Sequence, residues 1–331
     1  MMDNNMAEQP TFDDEIDLRE LFMVLWEGKL AIILGTVLSA LISVSVALYL
    51  PNKYTSEALL APRAEGGAGG TLGQLASQYG GLASLAGINL GGLGEAGKAA
   101  IAIEMLKSRE FFGAYLYDHV LVDLMAAEGW DRPSGKSMLD PSIYDSASKI
   151  WVRDVGPEFQ VKPSIQEAHD AFIESSLSVS EDKQTGFVTV AITHYSPSVA
   201  RDWVLLIVNG VNNAVRARDV AEAENSIAFL NEQRQKTSLV SLTEVFAELI
   251  EQQTKTVMLA AASEEYVFQI IDPPVAPELK SEPSRALICI LGVLLGGLLS
   301  VVYVLIRHYA KGDGRRSSSD GLDKAGEAFS Q

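Results

Sequence analysis

A chain of 331 residues is long enough for two soluble domains, but 47% apolar residues and a mean hydropathy of +0.13 point to membrane segments. The net charge of −17 argues against nucleic acid and anionic lipid surfaces as partners. The single cysteine, Cys289, has no partner for an intrachain disulfide.

Residues 1–12 read as a disordered polar tail. Asp13 and Asp14 then cap a short amphipathic helix that reaches Lys29, with acidic residues in its first turn where the helix dipole favours them. Trp26 and Lys29 stand where an interfacial anchor belongs. From Leu30 to Leu50 there are 21 residues without a charge, enough to cross a bilayer. Ser45-Val46-Ala47 resembles a cleavage site, but the 29 residues before the span are acidic and too long for a signal-peptide leader, so it reads as an uncleaved anchor. A second uncharged run, Ala286–Ile306, is also 21 residues long. Arg307, Lys311, Arg315 and Arg316 follow it, against Lys280 and Arg285 before it. That bias places the C-terminus in the cytoplasm, and two spans place the N-terminus there too. The chain thus divides into a cytoplasmic tail and helix (1–29), a first span (30–50), an outer domain (51–285), a second span (286–306) and a cytoplasmic tail (307–331). Residues 30–306 carry 31 acidic and 19 basic side chains, a net of −12 that keeps the outer domain soluble.

Outside the membrane, Tyr54–Ala61 has the composition of a strand. Residues 64–100 hold 12 glycines interleaved with leucine and alanine, which reads as a mobile loop with one or two helical turns. A helix resumes near Lys98, with Ile101, Met105, Phe112, Leu116 and Val120 on one side. Residues 129–164 show little periodicity and read as an irregular insertion. Next comes a β-hairpin, Ser176–Glu181 and Phe187–His194, around the turn DKQTG. Ser196-Pro197 supplies a helix start. From Ser198 to Asp272 there are 75 residues without proline and with one glycine, Gly210. This stretch predicts a long helical extension over about 197–262, two helices with a tip near 237–243, reaching roughly 60 Å or more from its base. Tyr266–Ile271 reads as a returning strand. Pro273, Pro274, Pro277 and Pro283 then predict a stiff extended strut into the second span.

The motifs that suggest chemistry lack its context. Gly92-Leu-Gly94-Glu-Ala-Gly97 spells a phosphate-binding loop, but Ala99 stands where a magnesium-binding hydroxyl is needed and no strand precedes it. His119, His169, His194 and His308 are dispersed, without metal-ligand spacing. No serine sits in a nucleophile elbow. We read no catalytic, cofactor-binding or metal-binding residues. The small residues Gly35, Ser39 and Ser43 on the first span, and Gly292, Gly296 and Gly297 on the second, form faces suited to close helix packing.

The order of these pieces resembles a known family. EIDLRELFMVLWEGK before a span, YTSEALLAP after it, MLKSREF, SPSVARDWVLLIVN, a very long helix and IIDPPVAPELKSEPSR before a final span are similar to the polysaccharide co-polymerases. These are the Wzz-type chain length determinants, and Pro273, Pro274, Pro277 and Pro283 match their motif before the second span. The resemblance implies an α+β periplasmic domain with a very long extended helix, flanked by two transmembrane helices. It implies a bacterial inner-membrane protein without enzymatic activity or cofactor that forms a ring-shaped homo-oligomer. Its other expected partners are a membrane polysaccharide polymerase and lipid-linked polysaccharide, with no nucleic acid. The function implied is control of chain length, most often of O-antigen lipopolysaccharide. The alternative is a co-polymerase for capsule or exopolysaccharide export working with a separate tyrosine kinase. A two-span receptor and a sugar-processing enzyme are weaker alternatives. The tail after the second span is too short for a receptor's signalling domain, and no carboxylate pair stands out for catalysis.

Overall fold

The computed structural model describes residues 18–63, 95–236 and 240–327. The chain divides into two units, residues 51–282 and residues 1–50 with 283–331.

Unit 51–282 is built on the alternation visible in Val188–His194. There Val188, Val190, Ile192 and His194 point inward, and the residues between them are half-buried. This strand and Tyr54–Pro62 are the central pair of a four-stranded antiparallel sheet. We number the strands in chain order: β1 (Tyr54–Pro62), β2 (Ala127–Asp131), β3 (Lys136–Leu139), β4 (Tyr144–Asp145), β5 (Ile150–Trp151), β6 (Leu177–Glu181), β7 (Val188–His194) and β8 (Phe268–Asp272). The sheet order is β6-β7-β1-β8, with Ala58 opposite Val190 and Pro62 opposite Phe268. The β6–β7 turn needs Gly186 at φ +72°, a left-handed conformation that a side chain would strain.

One face of the sheet is covered by helix α7 (Pro197–Lys236), 40 residues and so about 60 Å long. Ala200, Trp203, Val204, Ile207, Val208, Val211 and Val215 repeat at helical spacing and are buried in the core. Each apolar side chain the size of valine or larger contributes about 1.5–3 kcal/mol on burial, so this lower half anchors the helix. Beyond Val215 only Ala223 is buried, and the upper half runs beside α8 (Val240–Ala262). The expected tip, residues 237–243, lies partly outside the described residues.

The rest of the core comes from α3 (Glu95–Leu106), α4 (Arg109–Phe111), a π-helical turn (Phe112–Leu116), α5 (Tyr117–Ala126) and α6 (Ile165–Ser175). The sequence predicted one helix from about Lys98 to the end of this region, but the structure breaks it at Lys107-Ser108. Ser108 is extended and its Oγ accepts the Phe111 N–H, restarting the helix, while the Lys107 carbonyl lies 2.9 Å from His169 Nε2. Helix α6 was not anticipated at all. Nor is the 129–164 insertion wholly irregular, because β2–β3 and β4–β5 are small antiparallel pairs. Arg153 organises the remainder. It reaches the Val161 and Gln160 carbonyls and makes a two-pronged pair with Glu167. The guanidinium holds the Glu167 carboxyl below its ordinary range. The glycine-rich stretch 64–94, with most of its expected loop, and the cap at Asp13 and Asp14 lie outside the described residues.

The second unit holds α1 (Leu18–Glu27), α2 (Lys29–Tyr49) and α9 (Arg285–Glu327). With no proline after Pro283 to stop it, α9 continues past Ile306, through most of the stretch expected to be a tail. Lys29–Tyr49 and Arg285–His308 are long and apolar enough to span a bilayer, and most of their side chains are exposed, unlike those of a soluble core helix.

Candidate functional site

Among the described residues, no cluster of three His, Cys, Asp or Glu side chains is arranged to hold a metal ion. Two of the histidines are committed to the fold. His169 packs edge-on to Phe112 and bonds the α3–α4 break. His194 is buried beneath Trp203, and its Nδ1 accepts the Ser196 N–H. Its Nε2 therefore carries the proton and faces the Asp123 carbonyl at 3.2 Å. Burial pushes the His194 pKa down from its ordinary value, because protonation would charge a desolvated ring.

The candidate sites are thus a packing seam, a proline segment and a groove. In the seam, α2 and α9 run antiparallel with small residues facing each other. Ser39 Oγ donates to the Gly292 carbonyl at 2.7 Å. A Cβ on Gly292 would overlap Ser43, one on Gly296 would overlap Ser39, and one on Gly35 would overlap Ser300 Oγ. These glycines therefore let the backbones approach closely. Gly297, expected on the same face, lies outside the tight seam, and a Cβ there would meet only Thr36 Oγ1 at 3.7 Å. The reason is geometric, since residues four apart share a helix face and adjacent ones do not. Ser300 and Gly28 belong to the seam and were missed. Ser300 extends the Gly292, Gly296 spacing by another four residues, a signal that was legible.

The proline segment is not a free strut over residues 273–282. Ser56 Oγ donates to the Val275 carbonyl at 2.8 Å, Thr55 Oγ1 and Ser281 Oγ lie 2.7 Å apart, and Lys53 pairs with Glu282 through backbone bonds. Pro274 is buried, Pro277 and Pro283 are half-buried, and Pro273 is exposed. The prolines deny this segment the N–H groups of a regular strand, so serine, threonine and a few backbone groups fasten it along β1.

The groove opens between α3, the Ser108 break and the middle of α7. Phe111 and Tyr115 stack along it with ring centres 5.3 Å apart, and Glu110 and Arg218 stand at its walls. The sequence reading marked none of these four as functional.

A family profile described as Wzz, chain length determinant protein, matches residues 14–119. Over these residues the chain is similar to the Wzz chain length determinants. The match takes in α1, the first apolar helix and β1 and ends in α5, including the Ser108 break. A second profile, GNVR, a G-rich domain on putative tyrosine kinase, matches residues 233–309 and takes in α8, β8, the prolines and the second apolar helix. Among solved structures, the chain is similar to one titled full-length bacterial polysaccharide co-polymerase, at 15% identity and a TM-score of 0.36, covering 90% of this chain and 99% of that one. It is also similar to a fragment of WzzB, polysaccharide co-polymerase from Salmonella Typhimurium, at 12% identity and a TM-score of 0.29, covering 70% of this chain and all of that one. No curated protein sequence matches it.

Proposed function

We propose that this membrane protein sets the chain length of a surface polysaccharide, acting as a homo-oligomeric scaffold for a membrane polymerase. The polymer on this reading is O-antigen carried on a lipid. The observation that carries the reading is the Wzz-family match over 14–119, in a chain with one apolar helix of membrane-spanning length near each end. The scaffold sits in the bacterial inner membrane with both termini cytoplasmic and residues 51–285 periplasmic, which the excess of basic residues after the second span supports. Its role is positional rather than catalytic. His169 and His194, the groups most suited to proton transfer, are occupied by structural bonds. The small-residue seam and the family prolines serve assembly, the first by fixing the two spans together and the second by fastening the chain to β1 just before it enters the membrane.

Deletion of the gene in the source cell tests this. The polymer should still be made, with its modal length lost. An unchanged length profile would refute the proposal.

The match over 233–309 favours a second reading, in which the polymer is a capsule or exopolysaccharide and a separate tyrosine kinase works with the chain. Assaying lipopolysaccharide and capsule from the same deletion strain separates the two.

A further inference from the structure

The groove beside the π-helical turn is built rather than incidental. Its volume is about 690 Å³, within the range of small-ligand sites. Gly210 shapes its aromatic floor, since a Cβ there would stand 3.2 Å from the Phe111 ring and 3.6 Å from Tyr115 Cβ. Gly210 is the one glycine between Ser198 and Asp272, at a position where alanine would be the better helix former. The glycine is therefore explained by the aromatic pair it admits. The π-helical turn Phe112–Leu116 carries Tyr115, and such turns recur at functional sites.

The charged walls are also uncommitted. Neighbouring Arg216 is spent on the Ser263 carbonyl and Asn213. Arg218 and Glu110 are exposed and have no hydrogen-bond or ion-pair partner among the described residues. A groove with both signs of charge and an aromatic floor does not fit an apolar segment or a ligand of one strong charge. It fits a ring with an apolar C–H face and a rim of hydroxyls. A half-exposed tyrosine covers the face, while a planar guanidinium or carboxylate hydrogen-bonds two adjacent hydroxyls.

We propose that this groove binds a short segment of saccharide chain, with Tyr115 against a sugar face and Arg218 and Glu110 on its hydroxyls. This rests on the reading of the chain as a polysaccharide length regulator and gives it a contact site for the polymer.

The test uses the full chain in lipid nanodiscs, titrated calorimetrically with oligosaccharides of one to three repeat units from the source cell's own surface polysaccharide. Saturable binding is expected. Tyr115→Ala and Arg218→Ala should each weaken it about tenfold, with Tyr115→Phe close to the parent. The oligomer mass of each variant should match the parent's. The proposal is overturned if the parent chain does not bind, or if Arg218→Ala, an exposed position that does not threaten folding, binds as the parent does. It is also overturned if either alanine variant changes the oligomer mass, because the groove is then a contact between copies. Loss of modal length on gene deletion, without saccharide binding in the groove, removes this site and leaves the proposed function standing. Unchanged length on deletion removes the function whatever the groove binds.

Discussion

Replacing Asn212 with alanine removes three hydrogen bonds from the point where α7 holds the edge strand β8. Asn212 is buried in the lower half of α7. Its Oδ1 accepts the Val267 N–H at 2.8 Å and the Phe268 N–H at 2.9 Å, and its Nδ2 donates to the Phe268 carbonyl at 3.0 Å. β8 is the edge of the sheet, and the Phe268 N–H and carbonyl face away from β1, so the asparagine supplies the partners that no further strand provides. Alanine would leave three backbone groups without these partners in a dry site. At about 1–3 kcal/mol for each orphaned group, the cost is about 3–9 kcal/mol, a large fraction of typical domain stability. At roughly 2–4 °C per kcal/mol for a domain of this size, melting should fall by at least about 6 °C. The assay is thermal unfolding of the full chain in nanodiscs, with hydrogen exchange read at residues 265–272. Asn212→Asp should also destabilise, because it keeps the acceptors but turns a carboxylate toward the Phe268 carbonyl. A fall below about 3 °C, or unchanged exchange at Val267 and Phe268, would refute the account of how β8 is held.

Further outcomes follow from the same structure. Gly292→Leu and Gly296→Leu should each destabilise the paired spans by about 1–3 kcal/mol, whereas Gly297→Leu should be tolerated. Detergent-resistance profiles of the three variants check this, and equal profiles would contradict the seam. Removing Arg153 as Arg153→Ala should cost about 1–3 kcal/mol, because the half-buried Glu167 loses its charged partner while water still reaches it. Lysine should not restore the loss, since it cannot reproduce the two-pronged pair. The depressed His194 pKa means that the folded state binds fewer protons than the unfolded one. Its contribution is therefore whole above the unfolded value near about 6.5 and is lost as pH falls through the lower folded value. His194→Gln should flatten the melting curve against pH in that window, and an unchanged slope would contradict the assignment.

Much of the fold was legible where one local signal dominated. The alternation of Val188, Val190 and Ile192, the DKQTG turn, the Ser196-Pro197 start and the long proline-free run led directly to β7, its hairpin and α7. Helix α6 was missed although Ser164 and Glu167 spell a capping box, with Ser164 Oγ accepting the Glu167 N–H. A short helix beside an insertion gives little periodicity to read. The break at Ser108 was hidden because its stabilising partner, His169, is 62 residues away in sequence. The candidate sites divide in the same way. Small residues spaced by four pointed to the seam, and Gly297, adjacent to the spacing rather than on it, stands at its looser edge. The groove could not be seen, because Phe111, Tyr115 and Arg218 meet only through tertiary packing around Gly210. The proline segment was read as a stiff extended strut, and its fastening to β1 was not legible because its bonds to Ser56 and Thr55 cross more than 200 residues.

The most direct test of the central claim is the size distribution of surface polysaccharide in the source cell, resolved by gel electrophoresis. Samples would come from the parent, a deletion strain and the deletion strain carrying the gene on a plasmid. The account predicts a clustered modal length in the parent, a broad unclustered ladder of similar total polymer on deletion, and restored clustering on complementation. A deletion strain that keeps the parental clustering in both lipopolysaccharide and capsule, or that makes no polymer at all, would contradict it.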